Sequence, residues 1–148
     1  MLRGIPKVIS PDLLKALADM GHGDLIVIAD DFYPAVSMGR NGITINADGI
    51  PAADMLDAVL QLMPLDVAYA EHPVQIMEMS EDLKETMERP VVWDEFIAVV
   101  EKHIPEGKEC VGFIERMDFY EKAKTAFVTV STGERQPYGC LILQKGVM

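Results

Sequence analysis

This sequence has few of the residues that usually carry metal or redox chemistry. Its 148 residues include three histidines and two cysteines, and Cys110 and Cys140 are too far apart to form a Cys-x-x-Cys pair. Scattered ligands of this kind do not have the spacing of a zinc site, so no metal site is expected. Two lone thiols in apolar segments are typical of buried free cysteines in a reducing compartment. The sequence therefore favours a cytoplasmic location.

Basic charge is also scarce. The chain has 13 Lys and Arg residues against 24 Asp and Glu residues, which gives a net charge of -11. Such a surface repels phosphate backbones and anionic lipids, so neither nucleic acid nor a membrane is expected as a partner. No apolar run is long enough to span a bilayer, and the N-terminus lacks the basic-then-apolar pattern of a secretion signal.

The motifs of common cofactor sites and nucleophiles are missing as well. The sequence contains no GxGxxG, P-loop, GxSxG or HExxH pattern. The neighbouring Asp30 and Asp31 offer fewer oxygens than a magnesium site usually needs. The sequence therefore predicts a site that works without a cofactor.

The composition that remains is that of a globular protein, with 49% hydrophobic and 25% charged residues. The length fits one domain, 1–148. Strand-like segments alternate with helical ones, which predicts an α/β fold: a single-domain three-layer sandwich around a central, mainly parallel sheet. Helices are predicted at 11–20, 51–63, 80–88, 93–103 and 119–126, and strands at 25–29, 42–46, 65–70, 74–79, 110–114, 127–131 and 138–145.

The segment Met20-Gly-His-Gly-Asp24 leads into the apolar run 25–29 and then Asp30. A titratable imidazole between two glycines, with an acid just past the strand, is a plausible acid–base pair. A Gly-His-Gly turn is also a common way to end a helix, and Asp at a strand end is common in turns. The local pattern leaves both interpretations open.

Other polar residues fall at predicted element ends. Ligands of α/β sheets gather beyond strand ends, which makes five residues candidates for a pocket. They are His22, Asp30, Arg116, Tyr120 and Tyr138. Each also has an ordinary structural role, such as a surface salt bridge or a half-buried ring with a solvated hydroxyl. Spacing alone does not separate these alternatives.

Several separated motifs share their order with one known family. The first half contains Ser10-Pro11-x-Leu13-Leu14, Met20-Gly-His-Gly-Asp24, Asp30 and Ala47-Asp48-Gly49. The second half contains Arg116-x-x-Phe119-Tyr120-Glu121-x-Ala123, Thr132-Gly-Glu-Arg135-x-x-Tyr138-Gly139 and Lys145-Gly146-Val147. Together they resemble the RbsD/FucU family of sugar mutarotases, strongly over 1–70 and 108–148. The C-terminal motifs are similar to the L-fucose branch, since the D-ribose branch tends to carry histidine in place of Arg116.

The resemblance implies an RbsD-like fold and cofactor-independent mutarotation of a monosaccharide, with L-fucose favoured. It implies that His22 donates the proton and that Asp30 binds substrate and takes part in that chemistry. Arg116 would contact sugar hydroxyls, and the segment Tyr138-Gly139-Cys140 would add contacts. For the mechanism itself, Tyr120 or Tyr138 is expected either to relay the complementary proton or to stack on the C–H face of the sugar. The resemblance also implies a ring-shaped homo-oligomer, a decamer, with sites completed across subunits.

Two positions depart from the family pattern. Cys140 stands where the family usually has asparagine, which removes one side-chain hydrogen bond to a sugar. Phe32 stands where the fucose branch often has histidine. Both departures bear on which sugar is bound, and D-ribose pyranase-type pyranose/furanose interconversion is the closest alternative reaction. The Cys140 departure also leaves open a monosaccharide-binding protein without turnover. A third alternative is a structural oligomer whose polar strand-end residues are only solvated.

Overall fold

The computed structural model describes residues 2–148 and places a six-stranded sheet between two layers of helices. The strands are β1 Leu25–Ala29, β2 Ile43–Ala47, β3 Val74–Met77, β4 Val111–Ile114, β5 Val128–Thr132 and β6 Leu141–Gln144. The α-helices are α1 Pro11–Asp19, α2 Ala35–Met38, α3 Ala52–Leu60, α4 Glu81–Lys84, α5 Val91–His103 and α6 Arg116–Ala123. The predicted α/β sandwich is confirmed.

The sheet is mainly parallel, as predicted. Its strand order is β2-β5-β1-β6-β3-β4. Strand β6 pairs antiparallel with β1 and β3, whereas the β1–β5, β2–β5 and β3–β4 pairs are parallel. The carboxyl ends of five strands and the start of β6 therefore meet at one edge of the sheet.

Strand β1 lies inside the sheet and supports both helical layers. Ile26 and Ile28 enter the larger core, which α1, α3 and α5 cover. Val27 and Ala29 enter the smaller core, which α2 and α6 cover. Because both faces are buried, the strand is apolar throughout instead of alternating.

Helix α1 begins as predicted and holds the segment that follows it. Ser10 Oγ accepts a hydrogen bond from the Leu13 N–H at 3.2 Å, and a proline occupies the first helical position. At the other end, Lys145 Nζ donates to the carbonyls of Leu17 at 2.8 Å and Met20 at 2.6 Å. A cation there also suits the helix dipole. The end of β6 thereby fixes where the Gly-His-Gly turn begins.

Two predicted strands are wrong in extent. Segment 65–70 is not a strand, because only Leu65 forms a bridge, to Lys145, and the Asp66 N–H then donates to the Gln144 carbonyl. Strand β6 does not start at Tyr138, because that residue has a left-handed φ of 58°. Its neighbour Gly139 gives its N–H to the Asp30 carboxylate instead of to a strand.

Helix bounds also differ. Helix α4 ends at Lys84 and buries none of its residues, so packing does not extend it to 88. Helix α6 begins at Arg116, because Glu115 accepts the N–H groups of Met117 and Asp118. Helix α3 is shorter than 51–63, and residue 110 lies in a 3-10 turn. The short α2 falls between the predicted strands 25–29 and 42–46, where no helix is predicted. Within residues 2–148, no helix has both the length and the apolar character needed to cross a bilayer.

Candidate active site

A small cavity opens where the carboxyl ends of the strands meet the start of β6. Its volume is about 250 Å³, and it is lined by Asp30, Phe32, Tyr33, Met77, Arg116, Tyr120, Pro137, Tyr138 and Cys140. Drug-sized ligands usually occupy roughly 300–1,000 Å³, so this cavity suits a smaller molecule. A larger groove of about 520 Å³ lies along 101–109, but it is formed by one helix end and its turn.

Asp30 is the buried charged group of this cavity. It follows β1 directly and is 4% exposed. Its Oδ1 accepts the Phe32 N–H at 3.1 Å, and its Oδ2 accepts the Gly139 N–H at 3.1 Å. Burial raises the pKa of the Asp30 carboxyl, while hydrogen bonds from Cys140 and from these backbone groups oppose the rise. The main chain thus holds the carboxylate in one orientation.

Glycine is required at position 139. A Cβ there would lie 2.8 Å from Glu134 Cγ and 3.0 Å from the Gln136 carbonyl oxygen. A side chain would push the backbone away and lengthen the hydrogen bond to Asp30. Glycine is therefore needed here for close backbone approach, and a contact of Gly139 with substrate stays a prediction.

Tyr138 has a backbone conformation that is costly for any residue other than glycine. Its φ is 58°, and its carbonyl accepts the Trp93 Nε1–H at 2.9 Å. Its hydroxyl lies 3.3 Å from Ser80 Oγ, just before α4. Contacts with Trp93 of α5 and with Ser80, which precedes α4, thus hold a strained residue beside the cavity, which is a common property of ligand-binding positions.

A cation and two stacked rings form part of the cavity wall. The Arg116 guanidinium lies over the Tyr120 ring, with Cζ 5.4 Å from the centroid. Tyr120 stacks on Tyr33, with centroids 5.6 Å apart. The Tyr33 hydroxyl is buried and has no hydrogen-bond partner within residues 2–148. This wall offers charge-assisted hydrogen bonds together with apolar ring faces.

Cys140 belongs to the wall but is nearly inaccessible. It is 1% exposed, and its Sγ accepts the Asp30 N–H at 3.3 Å. Burial, and then the nearby Asp30 carboxylate, raise the pKa of the Cys140 thiol well above its ordinary value. The neutral thiol therefore braces Asp30 and is unsuited to act as a nucleophile.

His22 lies far from this cavity. It precedes β1 whereas Asp30 follows it, and a strand of five residues spans roughly 16 Å. His22 Nε2 lies 3.0 Å from Asp66 Oδ2 instead. The interpretation of His22 and Asp30 as a direct acid–base pair within one chain is therefore wrong. The structure brings together Asp30, Arg116, Tyr120, Tyr138, Gly139 and Cys140 without His22.

Three residues with notable positions were not singled out from the sequence. They are Tyr33, Asp66 and Glu134, which are all buried. Glu134 accepts the N–H groups of Ala52 at 3.3 Å and Gln136 at 2.9 Å, bracing the loop before Tyr138. The sequence around Asp66 is apolar, which could have indicated a buried carboxylate. Such a group is rarely buried without a partner, so it pointed to a specific role. Across the described part of the chain, no three His, Cys, Asp or Glu side chains are placed to hold a metal ion.

A polar cavity at the carboxyl edge of an α/β sheet defines a protein that binds a small ligand. Residues 3–148 match the RbsD / FucU transport protein family, and the chain belongs to that family. It is 46% identical to the human protein named fucose mutarotase, over 99% of this chain and 94% of that protein.

Two solved structures are similar over nearly their whole length. FucU from Bifidobacterium longum is 42% identical with a TM-score of 0.92, and the match covers 99% of each chain. The fucose mutarotase from Streptococcus pneumoniae, solved in complex with L-fucose, is 40% identical with a TM-score of 0.90, again over 99% of each chain.

Proposed function

We propose that this protein is a cofactor-independent sugar mutarotase that interconverts the α and β anomers of L-fucose. One observation carries the proposal: a buried carboxylate, a guanidinium and aromatic rings converge on a cavity of about 250 Å³. Relatives 40–46% identical over nearly the whole chain, from human and bacterial sources, bear the name fucose mutarotase. The cavity suits a small polyhydroxylated ligand, because its charged groups can bind hydroxyls while its rings cover C–H faces.

Mutarotation needs two proton transfers and no change of oxidation state. The anomeric hydroxyl loses its proton while the ring oxygen gains one, the C–O bond of the ring breaks, and closure on the other carbonyl face reverses both transfers. His22 is the proposed proton donor and acceptor, since imidazole can do both near neutral pH. In this proposal Asp30, Arg116 and the Tyr138–Cys140 segment bind the sugar, and Tyr120 relays the second proton.

These roles require two copies of the chain. The cavity and His22 lie at opposite ends of β1, so the His22 of one subunit has to face the cavity of another. Large exposed apolar side chains occur at both places: Val67 and Tyr69 near His22, and Phe32, Val36 and Met117 near the cavity. Such surfaces favour subunit contacts. The assembly we propose is a ring-shaped homo-oligomer, a decamer, and sedimentation as a stable monomer would contradict it.

We also propose a cytoplasmic location. The two cysteines are buried as free thiols, which suits a reducing compartment. Imaging of the tagged protein in its own cell, together with fractionation, would test this location.

Saturation-transfer NMR tests the activity directly. The anomeric protons of L-fucose, D-ribose and D-galactose are irradiated in turn, with and without the protein. Protein-dependent transfer between the α and β signals, strongest for L-fucose, is the expected result. Strongest transfer between pyranose and furanose signals of D-ribose would favour the pyranase alternative. Line broadening without transfer would identify a binding protein, as the Cys140 departure allows.

A further inference from the structure

The amino end of the sheet contains a buried polar chain for which the steps above give no role. Asp66 is 2% exposed, and its Oδ2 accepts the Gln144 Nε2–H at 2.9 Å and lies 3.0 Å from His22 Nε2. Its Oδ1 is also buried and finds no hydrogen-bond partner in the described chain. A buried carboxylate is costly unless donors satisfy it. The two side-chain donors at Oδ2 are therefore needed to keep Asp66 in place.

This chain determines which nitrogen of His22 carries the proton. An ionised carboxylate only accepts hydrogen bonds, so Nε2 must be the protonated nitrogen of the neutral ring. Nδ1 is then the unprotonated nitrogen, and residues 2–148 provide no hydrogen-bond partner for it. The His22 side chain is 42% exposed, which leaves Nδ1 available to a molecule from outside.

The backbone keeps His22 and Asp66 in register. The Gly23 N–H donates to the Lys145 carbonyl at 2.8 Å, and the Asp66 N–H donates to the Gln144 carbonyl at 3.0 Å. Both residues are thus anchored to the same end of β6. Gly23 has a φ of 85°, which other residues rarely adopt. The centroid of the Tyr69 ring lies 5.2 Å from that of the imidazole, so the two rings are in contact.

We propose that Asp66, held by Gln144, is the positioning residue that fixes the Nε2–H tautomer of His22 and presents Nδ1 as the acid–base atom. Nδ1 takes the proton from the sugar and later returns it, while Asp66 stabilises the imidazolium and receives no proton. The catalytic half of this statement rests on the proposed function, whereas the tautomer does not.

The tautomer is measured by long-range ¹⁵N–¹H NMR of the histidine ring at about pH 8, above the ordinary range of imidazole titration. Wild-type His22 is expected to carry its proton on Nε2. In Asp66→Asn the tautomers are expected to mix, because an amide can present either a donor or an acceptor to Nε2. If wild-type His22 carries its proton on Nδ1, the proposal is wrong. This test needs no variant, so it still applies if Asp66→Asn fails to fold.

Kinetics separate positioning from structure. Asp66→Asn is expected to lower kcat at least tenfold, within the about 10²–10⁴-fold attributed to a general acid–base group, while the KM for L-fucose stays within about twofold. Gln144→Met, which keeps Asp66 but removes its second donor, is expected to lower kcat less.

Asp57→Asn is the matched control, because Asp57 Oδ1 lies 2.8 Å from His103 Nε2 in an Asp–His pair remote from the site. This control is expected to leave the kcat and the His22 tautomer unchanged. An unchanged kcat and tautomer in Asp66→Asn would overturn the proposal. One further outcome separates the two proposals: wild type has no mutarotase activity, yet its His22 carries the proton on Nε2 and loses this preference in Asp66→Asn. That outcome would overturn the proposed function and support Asp66 as the positioning residue.

Discussion

The two ends of strand β1 hold their polar groups in different ways. At the carboxyl end, Asp30 is 4% exposed and is held by backbone N–H groups from two loops. At the amino end, His22 is 42% exposed and is held by the side chain of Asp66. A main-chain donor is kept in most substitutions of its own residue, with proline and the crowded position 139 as exceptions, whereas one substitution removes a side-chain partner. The binding end is therefore expected to be the sturdier half of the site, and the proton-transfer end the more sensitive one.

The largest effect is expected where the two ends must meet. His22→Asn should lower kcat by about 10²–10⁴-fold with no loss of folded protein, because it removes a general acid–base group. Asp30→Asn should also be poorly active at L-fucose concentrations well below the KM, which is the condition for this test. Refolding the two variants together is expected to restore about a quarter of the wild-type activity, because random mixing in a symmetric oligomer pairs an intact His22 with an intact Asp30 at that frequency.

Saturation-transfer NMR on the mixed assembly checks this prediction. His72→Asn, in a loop outside the cavity, serves as the control and should retain full activity. No recovery in a mixture that is shown to contain both chains would mean that each site is built from one subunit.

The next effect concerns binding at the carboxyl end. Asp30→Asn should lower kcat/KM by about 10- to 100-fold, since it removes a charged hydrogen-bond acceptor worth about 1.5–3 kcal/mol. The loss should appear mainly in KM, in contrast to the kcat effect at His22. Saturation-transfer rates measured over a range of L-fucose concentrations separate the two parameters, and a pure kcat effect would assign Asp30 to proton transfer.

A smaller effect is expected from the unpartnered hydroxyl in the cavity wall. Tyr33→Phe should raise the free energy of unfolding by about 1 kcal/mol, because the buried hydroxyl lacks a partner in the described chain. Tyr138→Phe is the matched comparison and should lower the unfolding free energy by about 1 kcal/mol, since that hydroxyl contacts Ser80. Urea unfolding of both variants measures the two changes in the free energy of unfolding, which are expected to have opposite signs. A loss of stability in Tyr33→Phe would mean that water or another group satisfies its hydroxyl.

The smallest effect is expected at Asp57, a carboxylate that lies at neither end of β1 and is compared here with Asp30. Hydrogen bonds from Lys102 and His103 lower the pKa of Asp57 from 3.8 to about 2. Its folded pKa lies below its unfolded pKa, so Asp57 contributes stability above about pH 4 and loses it as the pH falls toward 2. The contribution is about 1 kcal/mol for a pair near the surface. Asp57→Asn should therefore unfold with a flatter acid dependence than wild type.

The contribution of Asp30 to stability should change with pH in the opposite direction. Burial raises its pKa, so its stabilising contribution is present below its ordinary range and is lost as the pH rises through the folded value. Relative to wild type, Asp30→Asn should gain stability as the pH increases from about 4. Urea unfolding from acid to neutral pH measures both slopes, and equal slopes would mean that the two carboxylates have similar surroundings.

Local patterns predicted much of the fold because they report local physics. The cap at Ser10, the apolar run 25–29 and the alternation of strands with helices all depend on residues close in the chain. Segment 65–70 was misjudged because its backbone pairs with the far end of β6, which no neighbouring residue signals. Helix α4 was overestimated because its length depends on packing that it lacks.

The candidate site shows the same division. The sequence by itself determined the α/β class, the acidic surface and the motifs that contain Asp30, Arg116 and Tyr138, because composition and short-range order determine these properties. Only the tertiary structure decided that the Gly139 N–H donates to the Asp30 carboxylate, although the two residues are far apart in the sequence. It also decided that His22 pairs with Asp66 instead of Asp30. Such contacts join residues from 44 to 109 positions apart. Their geometry depends on the direction and order of the strands, which no local pattern specifies.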